Sequence, residues 1–403
     1  MDVAAIRADF PILADLIYLD SASTSLTPEP VLQSVLDYYH QYRANVGRAV
    51  YRMAQLADQS YRDAHRRTAE FVGGRDGVLV FTRNTTESIN IVARGLPWKK
   101  GDRIVTTLLE HHSNLLPWMR LRRDGVDLTV LRPDRNGLLD LADFERAVDG
   151  RTRLVAVSHL SNALGTLLPV KEISRIALDR GAALLVDGAQ SVPHMPVSAA
   201  DIGCDFLCFS GHKMLGPTGT GALWIREAGS IEPLLAGGGM VEDVRNGGDD
   251  GYDGYDGYDI KRGFEGFEAG TPDISGGIGL GTAVDYLTGV GMVEIHDHEA
   301  KLTRRLLEGL QEIKGVEIYG PLNPVERGGV VSFGVKGLLP HEVAMMLDHS
   351  SNISVRSGHH CCIPLMRHLG LKQGTVRASV YLYNTREEID LLLSALEQIA
   401  RLA

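Results

Sequence analysis

Phe206-Leu207-Cys208-Phe209-Ser210-Gly211-His212-Lys213 is an apolar run that ends, a few residues on, in a lysine. A short run that is apolar throughout, rather than alternating, reads as a strand covered on both faces, and such strands belong to parallel sheets. A second run, Ala182 to Val186, ends in Asp187. Outward from this pair, Leu79-Val80-Phe81, Arg103-Ile104-Val105-Thr106, Leu128-Thr129-Val130-Leu131, Leu154-Val155-Ala156-Val157 and Ala222-Leu223-Trp224-Ile225 read as further short strands separated by amphipathic segments. That alternation predicts an α/β fold with a parallel-rich sheet covered on both faces, its active residues clustered outside the carboxyl ends of the strands. From about residue 290 the rhythm changes to a long charged helix, Val293 to Glu312, then strands around Val316 to Tyr319 and Val330 to Val335, and a closing helix, Arg386 to Leu402. This predicts a smaller α+β domain, joined by the N-terminal segment.

The two residues at the strand ends carry the first chemical signal. A lysine after a strand is ordinarily a solvated end, and an aspartate there ordinarily a turn or cap residue. Together they are what an enzyme needs to hold pyridoxal phosphate, the lysine binding its aldehyde and the aspartate keeping its ring nitrogen protonated. A phosphate site points the same way. Thr82-Arg83-Asn84-Thr85-Thr86-Glu87-Ser88 follows the apolar stretch Val78 to Phe81 and precedes the helical pattern of Ile89, Ile91 and Val92. Small hydroxyl residues at such a turn surround an anion with donors at the positive end of a helix dipole, although an ordinary N-cap has the same composition. Ser210 and His212 are expected to face the same phosphate.

The chain has 403 residues, 44% of them hydrophobic, which is enough for two domains with a substantial core. A formal charge of −10 argues against a nucleic-acid grip or binding to an anionic membrane surface. Neither a signal-peptide pattern at Met1 to Asp9 nor a bilayer-spanning apolar stretch is visible, so a cytoplasmic location is expected. Four cysteines do not make a disulfide framework. Cys204 and Cys208 flank or lie in a strand and read as core residues.

Two stretches stand apart. The segment 247–259 repeats Gly-Tyr-Asp, and its composition predicts a mobile surface loop, with a gate over the site or a docking loop as the sharper alternatives. Arg356-Ser357-Gly358-His359-His360-Cys361-Cys362-Ile363-Pro364 places paired histidines beside paired cysteines. Metal-ligand spacing is absent, and four consecutive side chains do not easily converge on one ion, so no metal is expected. A cysteine close to His359, His360 and Arg356 could instead have a lowered pKa and act as a nucleophile.

These residues resemble the cysteine desulfurase and selenocysteine lyase family, group II, which has the class V aminotransferase fold, pyridoxal phosphate fold type I. The resemblance runs from Tyr18-Leu19-Asp20-Ser21-Ala22 to Tyr383-Asn384-Thr385. It includes Glu110-His111-His112-Ser113-Asn114, Ser161-Asn162-Ala163-Leu164-Gly165, Val186-Asp187-Gly188-Ala189-Gln190, Phe267-Glu268-Ala269-Gly270-Thr271-Pro272 and the loop from Gly358 to Cys361. It implies a mostly parallel seven-stranded sheet in a large domain, 21–289, and a small domain, 1–20 with 290–403, carrying the cysteine loop. By position it implies Lys213 as the cofactor lysine, Asp187 as partner of the ring nitrogen, His111 stacked on the ring and able to shuttle protons, and Gln190 on the phenolic oxygen. Thr85, Thr86, Ser210 and His212 would hold the phosphate, with Thr271 reaching in from the second subunit of a homodimer. Asn162 and Arg377 would bind the substrate carboxylate, with Arg356 and Arg48 lining the pocket.

The implied activity is conversion of L-cysteine to L-alanine with a persulfide left on Cys361, supplying an acceptor or scaffold protein of iron–sulfur cluster assembly. Selenocysteine lyase is the near alternative. A transaminase, β-lyase or epimerase would not need Cys361, and a non-enzymatic scaffold would not need the cofactor residues. Cys362 is open to three readings: a sulfur-resolving thiol, half of a vicinal disulfide, or a packing residue. Gly47 stands where many group II members have histidine, which bears on contacts with sulfur acceptors.

Overall fold

In a computed structural model of the protein, residues 1–47, 49–246 and 255–402 are described. Seven strands make the large sheet: β1 Val78–Thr82, β2 Arg103–Thr107, β3 Asp127–Leu131, β4 Thr152–Ser158, β5 Ala183–Asp187, β6 Phe206–Ser210 and β7 Gly221–Ile225. Their order is β1-β7-β6-β5-β4-β2-β3, and only β7 runs against the others. Successive side chains on a strand face opposite ways, so each run builds two cores. Leu207 and Phe209 join one cluster with Val155, Val157, Leu184 and Val186, while Phe206 and Cys208 join the other with Leu154, Ala156 and Leu185. Cys204 and Cys208 are both buried core residues, as the sequence predicts.

Helices α1 Glu29–Gln41, α2 Arg52–Phe71, α3 Thr85–Gly95, α4 Val170–Asp179 and α5 Ile274–Val290 pack around this sheet. Small residues let α5 approach α2 closely: a Cβ at Gly281 would lie 2.7 Å from the Ala64 Cβ. Among the described residues no single helix is long and apolar enough to cross a membrane.

Strands β8 Val241–Asn246 and β9 Tyr255–Ile260 pair antiparallel. The later part of the Gly-Tyr-Asp repeat is therefore strand rather than the loop expected from its composition, because a partner strand satisfies its backbone groups. Residues 247–254 of that stretch lie outside the described residues.

The smaller sheet is antiparallel throughout, in the order β10-β11-β13-β12, with β10 Val316–Tyr319, β11 Val330–Val335, β12 Arg356–Gly358 and β13 Thr375–Ser379. Helices α6 Met292–Glu312, α7 Pro340–Ser351 and α8 Arg386–Leu402 contribute to its core, where Leu306, Leu310, Leu347, Leu392 and Leu396 meet Val331 and Phe333. Ile17–Tyr18 pairs with Ile353–Ser354, and Leu19 enters this smaller core. Ile6, Phe10 and Leu13 instead pack into a large-sheet cluster, which also takes in Cys362, Met366 and Tyr383. That shared apolar contact sets the 356–363 segment against the large sheet.

Candidate active site

One cavity of about 230 Å³ gathers residues from the carboxyl ends of β1, β4, β5 and β6 together with the 356–361 loop and β13. Thr85, Thr86, His111, Asn162, Asp187, Gln190, Ser210, His212, Lys213, Arg356, Cys361 and Arg377 all line it. Two expected residues are not among them. Thr271 is exposed and lines a neighbouring cavity with Arg83 and Glu87, and Arg48 lies outside the described residues.

The phosphate end is built at the start of α3. Asn84 caps the helix by accepting from the Glu87 N–H at 3.1 Å, so the N-cap reading holds at this turn. Ser210 Oγ accepts from the Thr85 N–H at 2.9 Å and lies 2.7 Å from Thr85 Oγ1, while Thr86 Oγ1 lies 2.7 Å from Ser113 Oγ. Further along the cavity, Asp187 is buried and accepts from the Ala189 N–H at 3.0 Å. Burial raises its pKa, opposed by that bond and by Lys213. Burial lowers the Lys213 pKa, with Asp187 and Cys361 acting in the other direction.

His111 is held as a neutral ring. Burial first, then Lys213 and neighbouring cations, push its pKa down to about 3. Its Nδ1 accepts the Ser113 backbone N–H at 3.1 Å, which puts the ring proton on Nε2. Gln190 Nε2 donates to the Ala22 carbonyl at 2.7 Å, leaving Oε1 buried without a partner among the described residues.

At the other end two arginines converge. Arg377 donates to Asp20 Oδ1 (2.9 Å), Ser23 Oγ (2.6 Å) and the Asn162 carbonyl (2.9 Å), and Arg356 reaches Ser23 Oγ at 3.1 Å. Among the described residues, Arg377 Nε, a buried donor, has no partner. Cys361 is exposed and follows His360, and both hold left-handed backbone, at φ +57° and +51°. That conformation costs a non-glycine residue about 1 kcal/mol. It is held by bonds from the large-sheet side: His112 N–H to the Cys361 carbonyl (2.8 Å), Ile363 N–H to His112 Nε2 (3.2 Å), and Asn162 Nδ2 to the His360 carbonyl (2.8 Å).

The expectation that His360 would supply positive charge to the cysteine is corrected here. His360 is buried, and burial with Arg377 and Arg356 pushes its pKa down to about 2. Thr375 Oγ1 donates to Ser332 Oγ (3.1 Å) and so accepts from the His360 Nε2–H (2.8 Å), while the buried Nδ1 has no partner among the described residues. Among the described residues, Arg356 and Arg377 bring positive charge to this end of the cavity. Among the described residues no group of three His, Cys, Asp or Glu could hold a metal ion.

The aminotransferase class-V family model matches residues 17–392. The chain belongs to the aminotransferase class-V family. A probable cysteine desulfurase of Methanothermobacter thermautotrophicus is 48% identical over 400 residues, spanning 98% of this chain and 97% of the relative. A cysteine desulfurase of Haloferax volcanii is 41% identical over 423 residues, spanning 98% and 96%. Among solved structures, the apo cysteine desulfurase of Thermococcus onnurineus has a TM-score of 0.94 at 46% identity, covering 99% of this chain and 98% of its own.

The cofactor of this class-V chain is pyridoxal phosphate, and the cavity fits it. A buried carboxylate suits a protonated ring nitrogen, hydroxyls at a helix N-terminus suit a phosphate, a neutral imidazole can lie against an aromatic ring, and the orphaned Gln190 oxygen lacks a polar neighbour among the described residues.

Residues that sequence reasoning left without a role complete the class-V site. His112, Asp20, Ser23 and Ser113 hold the groups above, and only the quoted motifs that contain His112, Asp20 and Ser113 hinted at them. Glu110 is buried behind the cavity, accepting from Thr107 Oγ1 (2.7 Å) and Asn114 Nδ2 (2.6 Å). Burial pushes its pKa from 4.5 to about 8. An acid whose folded pKa lies above its unfolded one binds more protons folded, so its contribution to stability falls as pH rises from about 4.5 to about 8. We expect Glu110→Gln to flatten that slope. Melting temperatures of variant and wild type measured from pH 5 to pH 8 check this, the variant gaining relative to wild type as pH rises.

Gly374 sets the other limit on the loop. It holds φ +79°, and a Cβ there would lie 2.1 Å from the Gly358 carbonyl oxygen. Gly374→Ala is expected to cost about 2 kcal/mol or more. Thermal unfolding reads that cost, and a changed alkylation rate at Cys361 reports the displaced loop.

Proposed function

We infer that the chain is a pyridoxal-phosphate-dependent cysteine desulfurase acting on L-cysteine. The observation that carries this reading is that Cys361 opens into the same cavity as Lys213, Asp187 and the Arg356–Arg377 pair. A transaminase or epimerase has no use for a thiol held there.

The bound cofactor supplies an electron sink for negative charge developing at the substrate Cα. Arg377 and Arg356 orient the substrate carboxylate, the first having a spare buried donor at Nε. Lys213 Nζ, its pKa lowered by burial, is the group suited to move the Cα proton. His111 Nε2–H stays a donor across the neutral range because its ring does not charge. Cys361 Sγ bonds to the substrate sulfur as the Cβ–S bond breaks. The products are L-alanine and Cys361 persulfide, and the proton that replaces sulfur at Cβ balances the step.

The finer parts of the reading are the destination and the assembly. We propose a sulfur-acceptor protein of iron–sulfur cluster assembly as the recipient and a cytoplasmic location, which suits four free cysteines, one of them exposed. A homodimer is supported by the exposed apolar residues Leu32, Leu36 and Tyr39 along α1, and by the exposed Thr271, which would complete the partner's phosphate site. We also propose 21–289 as the large cofactor-binding domain and 1–20 with 290–403 as the small one. Purified holoenzyme incubated with L-cysteine tests the activity: L-alanine must form, with a persulfide that can be trapped on Cys361. Failure to form alanine overturns the reading.

A further inference from the structure

Cys361 and Cys362 are neighbours in the chain with opposite surroundings. Cys361 is exposed, whereas Cys362 is wholly buried, its Sγ 3.3 Å from Asn162 Oδ1. Burial, with Glu110 and Cys361 nearby, drives the Cys362 pKa up, so the thiol keeps its proton and serves as a donor. Asn162 has two more fixed partners. Its Nδ2 donates to the His360 carbonyl at 2.8 Å, and its own carbonyl accepts from Arg377 Nη1 at 2.9 Å. Because a carbonyl only accepts, the amide can be turned one way, with Oδ1 toward the thiol.

We propose that Cys362 is a positioning residue: its thiol proton locks the Asn162 amide, through which the His360 carbonyl before Cys361 and the Arg377 guanidinium are held in register. The inference rests on reading the cavity as the cysteine-binding site. Two consecutive left-handed residues, His360 and Cys361, need such an anchor, since nothing in their own backbone preference favours that shape. Neither sulfur relay nor a Cys361–Cys362 disulfide suits this arrangement. Either would take the Cys362 sulfur from Asn162 and leave a buried amide oxygen without its donor.

Holoenzyme carrying Cys362→Ala or Cys362→Ser tests the assignment. Loss of the donor in Cys362→Ala is expected to raise the KM for L-cysteine about five-fold with kcat within about two-fold, and Cys362→Ser, which keeps a donor, should return KM to within about two-fold of wild type. Independently of turnover, the infrared S–H stretching band of the hydrogen-bonded thiol should vanish in Cys362→Ala and shift to higher frequency in Asn162→Ala. An unchanged KM in Cys362→Ala, equal KM values in the alanine and serine variants, or a persulfide trapped on Cys362 overturns the proposal. Wild type that forms no alanine defeats the desulfurase reading instead. In that case the infrared band decides the thiol–amide bond, and an unshifted band in Asn162→Ala defeats that bond as well.

Discussion

Cys361→Ala is expected to lose alanine formation from L-cysteine by about 10³-fold or more, because no other exposed thiol opens into the cavity among the described residues. The variant should still bind cofactor, since no cofactor-binding contact described above passes through the Cys361 side chain. The measurement pairs the alanine rate with the visible absorbance of the purified protein. Normal absorbance with lost turnover identifies Cys361 as the sulfur-accepting nucleophile. Alanine formed as fast as in wild type would mean that sulfur leaves without the thiol, and the site would then be that of a lyase.

Lys213→Ala carries the second large effect. Turnover should fall by about 10²- to 10⁴-fold, the usual reach of a positioned proton-transfer group, and the cofactor should become removable by dialysis. Its removal also takes from Asp187 the cation facing it in a buried site, which raises the carboxyl pKa further. A small added amine can restore part of the proton transfer but not the retention of the cofactor. Recovery of rate on adding methylamine, with dialysis still stripping the protein, separates the two tasks of one side chain. A variant that holds cofactor as firmly as wild type would contradict the assignment of Lys213.

Much of the large sheet was legible because several of its strands are apolar runs that end in polar residues, so Asp187 and Ser210 mark both the strand ends and the site, with Lys213 just beyond. The closing helix, Arg386–Leu402, was equally plain, since Ile389, Leu392, Leu396 and Ile399 repeat on one face. The end of the Gly-Tyr-Asp stretch, 255–259, was misread because composition reports intrinsic preference while β9 is held by its partner strand. His360 misled for a related reason: a histidine beside a cysteine looks cationic in sequence, and burial, which leaves no local signature, keeps it neutral. His112 and Cys362 act through bonds to residues 251 and 200 positions away, a separation that no local pattern encodes.

The segment bearing Cys361 is tied at three successive residues to loops of the other sheet, through His112 to Cys361 and Ile363 and through Cys362 to Asn162. On the proposed function, a persulfide formed there would sit on a tethered segment rather than on a travelling arm. A recipient would then have to present its own thiol at the cavity mouth, and its fit to that mouth, rather than the reach of Cys361, would decide which proteins are supplied.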